Sequence, residues 1–268
     1  MRTTGGNLAR YPGWRAGLDS VKSLCPSIGS GRAKGVRFSI EGSAVTGAGF
    51  PKGDSWRQAR RDMVSDQLRG RGIGDRHVLG AMAALPRERF IPPAMRNLAY
   101  ADRAVPIGHG QTISQPYIVA RMTEALNLQP GHRVLDVGTG SGYQAALLAL
   151  LGARVFSIER IAELSASAVA TLASLGIQGP ELVVGDGSLG CPSGAPFDRI
   201  LVAAGAPRVP VSLLDQLKEN GQMVMPIGRA SLQILVVVRR CDGQTVETPI
   251  LPCRFVQLIG AEAWGSRC

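Results

Sequence analysis

The first 60 residues show no sustained apolar period, and a pattern sets in only near residue 61. Met63, Val64 and Leu68, then Val78, Leu79, Met82 and Leu85, recur at the spacing of a helical face. Asp75 is placed to cap the second of these helices, and Pro86 to stop it. Residues 105–116 read as a loop, from Val105-Pro106-Ile107-Gly108 to Ser114-Gln115-Pro116. Ser114 followed by Pro116 opens a further helix, whose apolar face carries Ile118, Val119, Met122, Ala125 and Leu126. From residue 133 onward short apolar runs alternate with helical patterns. Strands are expected at 133–137, 154–158, 181–184, 197–203, 222–226, 232–238 and 255–258. A helix rich in Ala and Leu runs to about residue 151 and another covers 161–175. This alternation predicts an α/β fold, doubly wound, with a mostly parallel seven-stranded sheet covered on both faces and preceded by an N-terminal helical segment. The last two strands have no long helix between them, so antiparallel pairing is expected there.

Composition changes this picture mainly at the N-terminus. With 45% hydrophobic and 19% charged residues in 268, the chain as a whole is not of the disordered class. No run of about 18 apolar residues occurs, so no membrane-spanning helix is expected. The net charge of +10 invites a nucleic-acid reading, but residues 1–60 carry +7 of it and residues 61–268 only +3. The first 60 residues also hold eleven glycines. They read as a basic extension, mobile by composition, with a targeting segment or an ordered arm as alternatives. A translation start at Met63 is a further reading. Residues 61–268 are expected to form the folded domain. The five cysteines are scattered without a C-x-x-C pair and the three histidines lie far apart in sequence, so neither a metal site nor a disulfide framework is expected. Reduced thiols and a cytoplasmic location fit that usage.

The chemistry concentrates after the first parallel strand, in Val134-Leu135-Asp136-Val137-Gly138-Thr139-Gly140-Ser141-Gly142. A buried strand entering a glycine turn lets a ligand approach the backbone, beyond the carboxyl ends of the strands. The G-x-G-x-G spacing differs from the dinucleotide pattern and favours a ligand without phosphates, such as S-adenosylmethionine. Glu159 ends the next strand, where a carboxylate can accept two ribose hydroxyls. Asp186, in Gly185-Asp186-Gly187, ends the third strand, where its carboxylate can meet an adenine amino group; an ordinary turn is the alternative. Asp136 either attracts the ammonium of the methionine part or braces the loop. These residues point to an S-adenosylmethionine-dependent methyltransferase of undefined acceptor. A methyl group on a sulfonium needs little beyond alignment with a nucleophile and exclusion of water.

The segment Gly110-Gln111-Thr112-Ile113-Ser114-Gln115-Pro116, with Pro106-Ile107-Gly108 before it, resembles the signature loop of protein-L-isoaspartate O-methyltransferases. The resemblance continues through Pro86-Arg87-Glu88-Arg89-Phe90, the glycine motif with Tyr143-Gln144, Ser157-Ile158-Glu159-Arg160, Gly185-Asp186-Gly187, Pro196-Phe197-Asp198 and Gln216-Leu217 to Pro226-Ile227-Gly228. It spans about residues 61–260. It departs from the family at Asp136, often Glu there, and at Gln257, commonly Pro. The resemblance implies methylation of the free α-carboxylate of L-isoaspartyl residues in damaged proteins and peptides, with repair through a succinimide. It implies Ser114 as the active-site residue, orienting the acceptor or contacting the cofactor rather than attacking as a nucleophile; a helix N-cap is the structural alternative. Thr112 and Ile113 would belong to the substrate loop. The cofactor residues so expected are Asp136, Gly138, Gly140, Gly142, Glu159, Asp186 and Gly187, with no metal. The expected partners are isoaspartyl substrates, with no membrane or nucleic acid, and the enzyme is expected to be a monomer. A methyltransferase for a small molecule or nucleic acid is the competing reading.

Overall fold

The computed structural model describes residues 53–265. The basic extension therefore lies almost wholly outside the described residues. The chain opens with helix α1 (Gly53–Asp62), so a boundary at 60/61 falls inside an element. The physical tie is Arg60. It donates to the Tyr100 hydroxyl at 2.9 Å and the Ala84 carbonyl at 3.0 Å, and it pairs with Glu88 at 3.3 Å. Trp56 packs against Tyr100 with ring centroids 6.1 Å apart. The described domain thus takes in α1.

A π-helical turn (Met63–Leu68) buries Met63 and Leu68 and leads to α2 (Arg76–Ala84). Asp75 caps α2 as expected, accepting from the backbone N–H groups of His77 and Val78, and the helix ends before Pro86. Where a loop was expected, β1 (Val105–Gly108) and β2 (Gln111–Ile113) form an antiparallel hairpin. Its runs are too short for period-two alternation to show, and Gly108, His109 and Gly110 at its tip all have positive φ. Helix α3 (Pro116–Ala125) starts at Pro116 with Gln115 at the N-cap position and no side-chain cap. Ser114 lies one residue further back, so its hydroxyl is not used as a cap.

The remaining elements are β3 (Arg133–Val137), α4 (Tyr143–Leu150), β4 (Arg154–Glu159), α5 (Ala162–Ser174), β5 (Glu181–Val184), β6 (Phe197–Val202), α6 (Val211–Asp215), β7 (Leu217–Arg229), β8 (Leu232–Cys241) and β9 (Gln244–Cys253). The sheet runs β5-β4-β3-β6-β7-β8-β9, parallel through β7 and antiparallel from β7 to β9. Central β3 is buried on both faces, which is why it reads as a continuous apolar run. Val134 packs with Met122, Leu126 and Leu148 on one side. Leu135 and Val137 pack with Ile200, Val202 and Leu213 on the other. Each such side chain contributes about 1.5–3 kcal/mol relative to exposure.

The last strand departs from expectation. It is Gln244–Cys253, an edge strand without a buried residue that carries Pro249 and Pro252, which an edge tolerates. The apolar run 255–258 instead crosses the sheet end: the Gly205 N–H donates to the Val256 carbonyl, and the Leu258 N–H to the Gly205 carbonyl. Strand order reverses between β3 and β6, the switch point where open sheets leave a crevice beyond their carboxyl ends.

Candidate active site

A cleft of about 870 Å³, counting its open mouth, occupies that crevice. Its floor is the turn after β3. Gly138, Gly140 and Gly142 have φ of 92°, 52° and 85°, all in the region that favours glycine. The Gly138 N–H donates to the Ile158 carbonyl at 2.9 Å, tying the turn to β4. Gly138 and Gly140 form cleft wall. Gly142 stands behind it at the start of α4, where an added Cβ would lie 3.1 Å from Ala168 Cβ of α5. There it packs on α5 and stands outside the cleft wall.

Glu159 ends β4 in the wall and is only 7% exposed. One carboxylate oxygen accepts the Gly140 N–H at 2.9 Å and the other the Ile161 N–H at 3.0 Å. Each oxygen keeps a lone pair for a hydroxyl in the cleft. Gly187 belongs to the same wall. A Cβ there would stand 2.6 Å from Val137 Cγ1, with Ile158 and Leu258 also in contact.

Two further expected cofactor residues also stand outside the wall. Asp136 is fully buried beneath the turn and is not in the wall. One of its oxygens accepts from the Ser157 hydroxyl at 2.8 Å, and Ser157 in turn meets the Thr139 hydroxyl at 2.6 Å. Its other oxygen has no partner. Burial pushes this carboxyl up to about 7, opposed by the Ser157 hydrogen bond and helped by the nearby Glu159 charge. Of the two readings, bracing the loop is the one the geometry supports. Asp186 likewise turns away. It accepts from Ser188 N–H at 2.8 Å, the Ser188 hydroxyl at 2.7 Å and Ala261 N–H at 2.8 Å. These bonds outweigh its desolvation and hold its carboxyl below the usual range. A β-region residue at the head of a short 3₁₀ turn directs its carboxylate to the turn's own N–H groups, and here it also fastens the C-terminal segment.

The hairpin side brings Thr112, Ile113 and Ser114 into the wall. A second cavity of about 770 Å³, counting its mouth, adjoins the first. Thr112, Ser114, Ala203 and Val256 line both. The Ser114 carbonyl accepts from Arg87 at 2.6 Å, while its hydroxyl makes no hydrogen bond among the described residues. Sequence reasoning missed the wall residues Tyr143, Gln144, Arg160 and 256–259 as site residues. For 256–259 the apolar run was itself the signal, read as a strand.

A sheet of this order, with a glycine turn and an acid at the next strand end, defines an α/β domain of the S-adenosylmethionine-dependent methyltransferase type. Comparison with known proteins narrows the class. The family model for protein-L-isoaspartate(D-aspartate) O-methyltransferase matches residues 58–263, and the chain belongs to that family. It is 49% identical over 211 residues to a protein-L-isoaspartate O-methyltransferase of Methanoculleus marisnigri, covering 79% of this chain and 96% of that protein. It is 53% identical over 205 residues to one of Koribacter versatilis, covering 76% and 92% respectively. Among solved structures, a Plasmodium falciparum protein-L-isoaspartate O-methyltransferase in complex with S-adenosyl-L-homocysteine aligns with a TM-score of 0.64 at 27% identity, over 75% of this chain and 98% of that one.

Proposed function

We infer that this chain transfers a methyl group from S-adenosylmethionine to the free α-carboxylate of L-isoaspartyl residues in damaged proteins and peptides. The residues present fit that donor. Glu159 keeps acceptor capacity for ribose hydroxyls, and the Gly138–Gly140 turn gives a close backbone approach. Val137, Ile158, Gly187 and Leu258 add apolar wall to the same cleft, suited to the flat base of the donor. Bound there, the donor supplies a methyl group already activated by its sulfonium charge.

The acceptor side follows from the second cavity. Ser114 and Thr112 stand where the two cavities meet, and this shared wall is the observation that carries the reading. The unengaged Ser114 hydroxyl donates to the acceptor carboxylate and aims it at the cofactor cleft. Ile113, Val119 and Met122 supply apolar wall that keeps water from the junction. A carboxylate is ionised at neutral pH, so Ser114 needs no general base beside it. The resulting ester is attacked by the next backbone nitrogen, which expels methanol and leaves a succinimide that hydrolyses partly to normal aspartate. We further propose that the enzyme acts as a monomer in the cytoplasm.

The test is methyl transfer to an isoaspartyl peptide and to its aspartyl twin at saturating donor. Transfer to the isoaspartyl peptide alone is expected. Equal, negligible transfer to both, with transfer to a nucleic acid or small molecule, would sink the acceptor assignment.

A further inference from the structure

Arg87 lies behind the acceptor loop and is fully buried. Its guanidinium holds two carbonyls: Nε donates to Ala99 at 2.8 Å and Nη2 to Ser114 at 2.6 Å. It stacks 5.0 Å from the centroid of Tyr143, a residue of the cleft wall. By strict geometry Nη1 lacks a hydrogen-bond partner, but the neighbouring Tyr143 hydroxyl, itself otherwise unpartnered, favours the charged guanidinium. Among the described residues no carboxylate forms an ion pair with it. The adjacent Glu88 is turned to Arg60 at 3.3 Å and to the Tyr100 hydroxyl. Desolvation pulls the Arg87 pKa down, yet a guanidinium stays protonated at neutral pH. The domain therefore carries a buried positive charge, not neutralised by protein, directly beneath Ser114. A buried cation with no anion is costly unless a partner arrives.

We propose that Arg87 is a positioning residue for the acceptor: it fixes the Ser114 loop through its carbonyl, and its charge selects a carboxylate over a neutral group in the adjoining cavity. The inference rests on the acceptor assignment above. A carboxylate held by the Ser114 hydroxyl would stand on the residue whose carbonyl the guanidinium grips, close enough for an attraction worth roughly a tenfold preference or more. The same charge would favour the ionised acceptor over its methyl ester, which is neutral, and so speed product release. Burial also shields the effect from salt, unlike a surface arginine.

The experiment measures equilibrium binding, in the presence of S-adenosylhomocysteine, of an isoaspartyl peptide and of the same peptide with its α-carboxylate replaced by an amide. Wild type should prefer the carboxylate by about tenfold or more. Arg87→Met should bring the preference to within about twofold. Arg87→Lys should keep most of the preference while lowering kcat, because an ammonium retains the charge and not the two-carbonyl fork. S-adenosylhomocysteine affinity should change far less than peptide affinity in both variants, which separates this role from a purely structural clamp. An unchanged preference in Arg87→Met overturns the inference. No preference in wild type overturns it as well, whether or not the variants fold. If wild type also fails to methylate the isoaspartyl peptide, the acceptor assignment falls with it; methylation without preference sinks this inference alone.

Discussion

Replacing Asp136 with asparagine should flatten the pH dependence of folding stability. In the folded domain the Asp136 carboxyl is sealed from solvent and holds its proton up to about pH 7, against 3.8 in an open chain. Between those values the folded state binds more protons than the unfolded one, so stability falls as pH rises and levels off above 7. The gap corresponds to about 4 kcal/mol at full ionisation, of which about 3 kcal/mol develops between pH 5 and pH 8. Asparagine abolishes this titration. Its carbonyl can keep the Ser157 hydrogen bond, but its amide takes the place of the unpartnered oxygen and finds no acceptor, a cost of about 1–3 kcal/mol at every pH. The variant should therefore be near wild type or slightly weaker at pH 5, and more stable by about 1–3 kcal/mol at pH 8. Urea unfolding without cofactor, followed by tryptophan fluorescence at several pH values and constant ionic strength, measures both effects. Ser157→Ala, which removes the bond that favours the charged form, should steepen the wild-type slope. Parallel stability profiles for wild type and Asp136→Asn between pH 5 and 8 would refute the assignment of this buried charge.

Three further outcomes are expected. Ser114→Ala should lower kcat by about ten- to a hundredfold, the value of one hydrogen bond to a charged group, while donor binding by calorimetry stays close to wild type. Gly187→Ala should weaken donor binding and cost about 1–3 kcal/mol of stability, because its Cβ would stand 2.6 Å from the rigid, buried Val137 in the cleft wall; a melting curve like wild type would show that the contact can yield. Glu159→Gln should weaken donor affinity by about 1.5–3 kcal/mol, since the acid both fastens Gly140 and offers its spare lone pairs to the cleft, whereas the KM for peptide should hold. An unchanged dissociation constant for the donor would remove Glu159 from the ribose assignment.

What could be read from the chain, and what could not, follows from the range of the forces involved. The parallel half of the sheet was legible because β3, β4 and β6 are buried on both faces, and burial writes itself as an apolar run. Strand β9 was illegible for the converse reason. An edge strand without a buried residue needs no apolar pattern, and its prolines argued against it, while the apolar run 255–258 was claimed by the ligand cleft instead. Gly138, Gly140 and Glu159 came to line the cleft because their positions are set by backbone conformation and strand ends, which are local properties. Asp136 and Asp186 did not, because a carboxylate's direction depends on which donors lie nearest once the chain has folded. For Asp136 these donors come from Ser157 on the neighbouring strand, and for Asp186 partly from Ala261, 75 residues away. The same holds for Arg87. Nothing in its local sequence says that its acidic neighbour Glu88 will be taken by Arg60, 28 residues upstream, leaving the guanidinium without an anion. Helices and strands thus report their own burial, whereas the charge balance of the site is a property of the assembled domain. In such a domain the informative residue is the charged one whose expected partner is already occupied.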